Sequence, residues 1–204
     1  MVSQNFEKYV KDNLDGFAKE VIRLASQRSV SARNEGVEEC SVLVEKMLKE
    51  IGATTKVLKL DGVAPLVYGE MKSKKGGKTV MFYNHYDVQP EEPLELWKSP
   101  PFKPEIRDGA IYGRGVSDDK GELVSRLKLV EAFLKADGDI PCNVKFCFEG
   151  EEEVGSPHLE EYVNRYPDLF KSDAVIWEYG KIGSDGTPVV GLGVKGMIYL
   201  ELTV

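Results

Sequence analysis

The chain has 204 residues, enough for one well-packed domain of ordinary size and at most a small second one. Its 27 Lys and Arg are outnumbered by 34 Asp and Glu, and the net charge of -7 excludes the broad basic footprint of a nucleic-acid or acidic-membrane binder. With 42% hydrophobic and 30% charged residues and no low-complexity tract or internal repeat, this is the composition of a soluble folded protein whose partners are small molecules or peptides.

The opening stretch MVSQNFEKYVKDNLDGFAKEV is charged throughout and lacks a secretory apolar core. No stretch of the chain reaches the roughly 20 apolar residues of a membrane span, so a cytoplasmic location is expected. Phe6, Tyr9, Val10, Leu14, Phe17, Val21 and Leu24 recur at helical spacing. Leu43, Val44, Met47, Leu48 and Ile51 do the same up to Gly52, a helix stop. TTKVLKL, PLVYGEM and KTVMFYNH follow as strands, and the glycines of SKKGGK predict a hairpin between the last two.

After a Pro-rich loop over 90–104 and a short strand near Ala110 to Tyr112, the residues Leu123, Leu127, Val130, Phe133 and Leu134 give a helix over 120–135. NVKFCFEG and DAVIWEYG are two more strands, joined by a helical segment near His158 to Tyr166. Such alternation predicts an α/β domain: a mixed, largely parallel sheet covered by helices on both faces, with its ligand site at the carboxyl ends of the strands. The closing stretch PVVGLGVKGMIYLELTV reads as the start of a different sheet that stops in mid-strand, so the chain is expected to be a fragment or an excised domain.

Cys40, Cys142 and Cys147 are odd in number and show no CxxC spacing, which leaves any metal to histidine and carboxylate ligands. His85 and Asp87 stand at the end of the apolar run in FYNHYDVQP, and a strand continuing that far would project both from one side. A carboxylate so placed can orient the imidazole of a metal-bound histidine, although an isolated His-x-Asp is usually a solvated loop. In YGRGVSDDKGE, Asp118 and Asp119 stand at the start of a helix, where simple capping would account for Asp119. FEGEEEVGS delivers Glu152 and Glu153 from a buried strand to the end of the sheet, where like charges are costly unless a cation compensates. Glu178 follows the apolar run Ala174 to Trp177 in the same way. His85, Asp118, Glu153 and Glu178 together offer one nitrogen and several carboxylate oxygens, a set suited to zinc or manganese. One carboxylate could bridge two metals, and Glu152 beside Glu153 could accept a proton from activated water.

The ordered set His-x-Asp-Val-Gln-Pro, Gly-Arg-Gly-x-x-Asp-Asp-Lys-Gly and Glu-Gly-x-Glu-Glu-x-Gly-Ser resembles the co-catalytic two-metal peptidase family of aminoacylase, succinyl-diaminopimelate desuccinylase and cytosolic dipeptidase. HYDVQP, WKSPPFKPEIRDGAIYGRG and SDDKG are most similar to the dipeptidase branch, and the likeness runs through essentially the whole chain as the family's N-terminal portion. The resemblance implies a zinc-exopeptidase-like fold, incomplete at the C-terminus. Residues 1–190 are then the N-terminal part of the catalytic domain and 191–204 the first strand of a lid or dimerisation domain. It implies that His85 binds one metal, Asp87 clamps its imidazole, Asp118 bridges both metals, Glu152 is the general acid and base, Glu153 binds the second metal and Glu178 the first.

The cofactors implied are two divalent ions, zinc first, with manganese or cobalt as alternatives, and the reaction is amide hydrolysis of dipeptides or small peptides by metal-activated water. The alternatives are an N-acyl amino acid deacylase of the same family and a noncatalytic metal- or peptide-binding module, against which the presence of Glu152 argues. The intact protein is expected to be a homodimer. The family's last metal-binding histidine has no counterpart, and His158 reads as an ordinary helix-start residue, so the second metal site is incomplete and little activity is expected of the 204-residue chain.

Overall fold

The computed structural model describes residues 2–178, 180–191, 193, 196, 198 and 200–203. Helix α1 (Gln4–Ser26) starts where the Ser3 side chain accepts the Phe6 N–H at 3.1 Å, and α2 (Val37–Glu50) starts after Gly36. Gly36 has φ +71, and a Cβ there would meet the Arg28 carbonyl oxygen at 2.3 Å, so this entry to α2 requires glycine. Strands β1 (Thr54–Leu58), β2 (Leu66–Met71) and β3 (Thr79–His85) follow. A small hairpin comprises β4 (Glu105–Arg107) and β5 (Ala110–Tyr112). The chain continues through α3 (Gly121–Asp137), β6 (Asn143–Glu149), α4 (Leu159–Arg165), α5 (Pro167–Phe170) and β7 (Ala174–Ile176), and then a short ribbon of β8 (Lys181–Ile182) and β9 (Pro188–Val189). No helix among the described residues is long and apolar enough to cross a membrane.

The central sheet runs β1-β2-β6-β3-β7, antiparallel on the β1-β2-β6 side and parallel across β6-β3-β7. This is the mixed α/β architecture expected, with one correction: β2 and β3 do not form a hairpin. Strand β6 lies between them, pairing Gly69 with Phe146 on one side and Phe82 with Phe146 on the other. Turn residues reverse the chain but do not choose its neighbour. Strand β6, buried from Val144 to Glu149, takes the centre, where both of its edges are paired and both of its faces are covered.

Alternation along these strands sorts the core into two layers. Val67, Phe82, Val144, Phe146 and Phe148 face α2 and α3, whereas Tyr68, Met81, Tyr83 and Cys147 face Tyr162, Leu169 and Phe170 of α4 and α5. Helix α1 packs on α3 rather than on the sheet, with Phe6 and Phe133 ring centroids 4.5 Å apart. Of its apolar stripe only Leu24 is fully buried, and Leu14 is left exposed. Strand β7 lies at one edge of this sheet, and its apolar run leaves Val175, Ile176 and Trp177 largely exposed. The strand expected over 191–204 falls in part on residues outside those described.

Lys145, on the α4–α5 side of β6, is only 7% exposed, and its Nζ donates to the carbonyls of Asp168 (3.2 Å), Leu169 (2.8 Å) and Lys171 (2.7 Å). It fastens the end of α5, whose last carbonyls have no helical partner. Replacing Lys145 with methionine keeps the stem but removes the donor, and should cost about 1–3 kcal/mol in urea unfolding. An unchanged midpoint would mean that water serves those carbonyls equally well.

Candidate metal centre

Strands β3, β6 and β7 are parallel, so their carboxyl ends meet at one edge of the sheet. His85 is the last residue of β3, fully buried, and its register partner is Glu149, the last residue of β6. The strand does not continue to Asp87 as the alternation reading required. Instead the chain turns, held by the Ser29 hydroxyl donating to the Tyr86 carbonyl (2.6 Å) and the Val88 N–H donating to the Ser29 carbonyl (2.9 Å). The turn brings Asp87 back to His85: its carbonyl oxygen lies 3.1 Å and its Oδ1 3.3 Å from Nδ1. Both neighbours are acceptors, so the proton is fixed on Nδ1 and Nε2 is the nitrogen left to face a cation.

Around Nε2 stand Asp118 Oδ1 at 3.0 Å, Glu152 Oε2 at 3.7 Å and Glu178 Oε2 at 3.7 Å. Asp118 sits in a π-helical turn, Val116–Lys120, at non-helical φ −129° and ψ 97°, and is joined to Asp119 by a cis peptide bond. Gly121 closes this bend, since a Cβ there would lie 2.1 Å from the Val116 carbonyl oxygen. The extended backbone at Asp118 sends the two neighbouring carboxylates apart. Asp118 is largely exposed, whereas Asp119 is buried and accepts from Asn84 Nδ2 (2.8 Å) and the His85 N–H (3.0 Å). Asp119 therefore does not cap α3, whose N-cap is Lys120. It forms a second ligand-capable group with His85 and Glu178, beside the group His85, Asp118 and Glu153; the donor atoms of each group lie within 4.8 Å of one another.

Glu152 and Glu153 ride on the loop after β6, over a 3-10 turn spanning Glu152–Val154. Their N–H groups donate to the Asp87 carboxylate at 3.2 and 3.0 Å, so the same carboxylate that braces His85 also holds this loop. Gln89 Nε2 donates to Glu153 Oε2 at 2.9 Å, a contact that local reading missed. The doubled Asp and the Gln-Pro pair were the signals available for Asp119 and Gln89. His158 lies at the N-cap of α4, and its Nδ1 pairs with Glu151 at 2.7 Å rather than with this cluster.

Crowded acids with little compensating charge titrate abnormally. Burial pushes Glu178 up to about 7 and Asp119 up to about 7, and it also raises Glu152 and Glu153. Asp118 moves the other way, lowered by its hydrogen bond to His85. Burial opposes charge on His85, but hydrogen bonds to Asp118 and Asp87 outweigh it and lift its pKa to about 11. The imidazole thus holds a proton where the carboxylates demand positive charge. Glu178 Oε2 is buried with no hydrogen-bond partner among the described residues. An orphaned carboxylate oxygen aimed at a histidine nitrogen is the arrangement a divalent cation satisfies, so the residues fit a metal.

Fold and site define a class, an α/β protein with a carboxylate-rich, histidine-containing metal centre at the carboxyl edge of its sheet. The chain belongs to peptidase family M20: residues 81–195, more than half of it, match the model of Peptidase family M20/M25/M40. It is 33% identical over 207 aligned residues to the Cys-Gly metallodipeptidase dug1 of Schizosaccharomyces pombe, an alignment covering 93% of this chain and 43% of that protein. Human carnosine dipeptidase 1 superposes with a TM-score of 0.80 at 28% identity, over 88% of this chain and 42% of that one. The M20 metallo-carboxypeptidase Sso-CP2 of Sulfolobus solfataricus gives 0.77 at 36% identity, over 83% and 38%. The chain thus spans less than half the length of each of these relatives.

Proposed function

We propose that this chain supplies the N-terminal part of the catalytic domain of a metal-dependent dipeptidase, residues 1–190, followed by the first strand of a lid domain over 191–204. The reading is carried by one observation: a buried imidazole, its Nδ1 fixed by Asp87, turns Nε2 toward Asp118, Glu152 and the Glu178 oxygen that has no hydrogen-bond partner among the described residues. The names of the relatives, a Cys-Gly dipeptidase and a carnosine dipeptidase, support a dipeptide as substrate. The intact protein is read as a homodimer on resemblance.

His85, Asp118 and Glu178 would hold one divalent ion, and Asp118 and Glu153 would contribute to a second, with Asp119 a further oxygen donor beside Glu178. Mixed nitrogen and oxygen donors suit zinc, with manganese or cobalt as alternatives. A bound ion would supply Lewis acidity toward the scissile carbonyl and a more acidic water. Asp87 keeps the His85 ring oriented and in one tautomer. Glu152 Oε2 takes the proton of the attacking water and returns it to the leaving amine nitrogen. Burial raises its pKa toward the range in which a carboxylate both accepts and releases a proton.

Cobalt(II) titration of the chain, followed by visible absorption and calorimetry, tests the centre. Binding is expected, and His85→Ala should abolish it. Glu152→Gln should keep cobalt in this chain and, in the intact protein, lower dipeptide turnover by roughly 10²–10⁴-fold, the usual contribution of a positioned acid or base. Cobalt binding that survives His85→Ala would refute this site.

A further inference from the structure

We infer that Glu149, bonded by the hydroxyls of Tyr83 and Ser156, is a latch that sets the position of the loop bearing Glu152 and Glu153 relative to His85. The inference rests on the dipeptidase reading for its purpose but not for its geometry. Glu149 ends β6 and is only 4% exposed, and among the described residues no lysine or arginine pairs with it. Its Oε1 instead accepts two hydroxyl protons, one from Tyr83 of the neighbouring strand and one from Ser156 at 2.8 Å. Burying a carboxylate on hydroxyl donors alone is costly, and the arrangement therefore calls for a purpose.

The loop's own geometry supplies one. Within it, the Val154 and Ser156 N–H groups donate to the Glu151 carbonyl at 3.2 and 2.9 Å, and the Gly155 N–H donates to the Glu152 carbonyl at 2.8 Å. These bonds make the loop a compact body but do not fix where it sits. Bonds leaving the loop do that: Asp87 accepts from the Glu152 and Glu153 amides, Gln89 Nε2 donates to Glu153, Glu151 accepts from the Ala64 N–H at 3.3 Å and pairs with His158, and Glu149 accepts from the Ser156 hydroxyl.

Among the described residues, the Ser156 bond closes the loop's far end onto the strand from which it departs. Ser156 makes this bond from a left-handed backbone, φ +49, which glycine would adopt more easily, so the hydroxyl is what the position gains by being serine. Tyr83 is itself held in place by stacking on Trp177, ring centroids 3.8 Å apart, next to Glu178. The latch thus references the Glu152–Glu153 loop to both strands that carry the other site residues.

The test uses Tyr83→Phe/Ser156→Gly, which removes both hydroxyls while keeping the stacked ring and the left-handed backbone, together with Ser156→Gly alone as the milder variant. Hydrogen exchange should speed up at least about tenfold for the Glu152 and Glu153 amides and stay unchanged over β2 and α3, because the opening is local. Cobalt(II) should bind about tenfold more weakly, as when a partner that orients ligands is lost. Unchanged loop exchange, acceleration of the whole core in both variants, or a loosened loop with unaltered cobalt affinity would each overturn the latch. Failure of the parent chain to bind cobalt would instead refute the dipeptidase reading, and exchange alone would then decide the latch.

Discussion

Asp87→Ala should weaken cobalt(II) binding by roughly 10- to 100-fold, the usual loss when a carboxylate behind a metal-binding histidine is removed. The expectation rests on the two tasks of this one fully buried side chain. Its Oδ1 lies 3.3 Å from His85 Nδ1, and its two oxygens accept the Glu152 and Glu153 amides. Removing it leaves the imidazole Nδ1 with a backbone carbonyl alone and strands two loop N–H groups without their acceptor. Both changes loosen the donor geometry at once. Asp87→Asn should recover part of the loss, because its one carbonyl oxygen can still accept a single loop amide while its NH₂ group faces the other. Calorimetry checks this; a dissociation constant equal to the parent's would mean that Asp87 braces nothing that the metal needs.

The second large effect is on stability. Phe146→Ala should destabilise the chain by about 3–5 kcal/mol in urea unfolding, a large part of the roughly 5–15 kcal/mol that holds an ordinary domain folded. Phe146 is fully buried on the central strand, with ring centroids 5.8 Å from Phe82 and 5.6 Å from Phe148. Its partner across β2 is Gly69, where an added Cβ would already lie 3.0 Å from Leu48 and 3.3 Å from the Phe146 ring. The ring thus fills the space that a side chain on β2 would occupy. Phe82 and Phe148 beside it are themselves buried in the packed core, so the cavity is expected to persist and its cost not to be relieved. A loss below about 1 kcal/mol would show that the core collapses onto the gap after all.

The sequence by itself determined the elements and the donor types. Apolar runs ending in His85, Glu149 and Glu178 specified strands that deliver polar groups to one edge, because alternation and strand length are local properties of the chain. The glycines around Asp118 marked an unusual backbone there, and helical spacing set α1 through α3. The tertiary structure alone decided which strands are neighbours and which acids are buried. The insertion of β6 between β2 and β3 replaced the expected hairpin, and that choice sets Glu149 beside His85 and lets Asp87 reach the Glu152 and Glu153 amides. Asp119, read locally as a cap, became a buried acceptor for Asn84 and His85. The physical reason is separation along the chain: Asp87 and Glu152 are 65 positions apart, and no local period constrains a contact made only when two distant strands pack side by side.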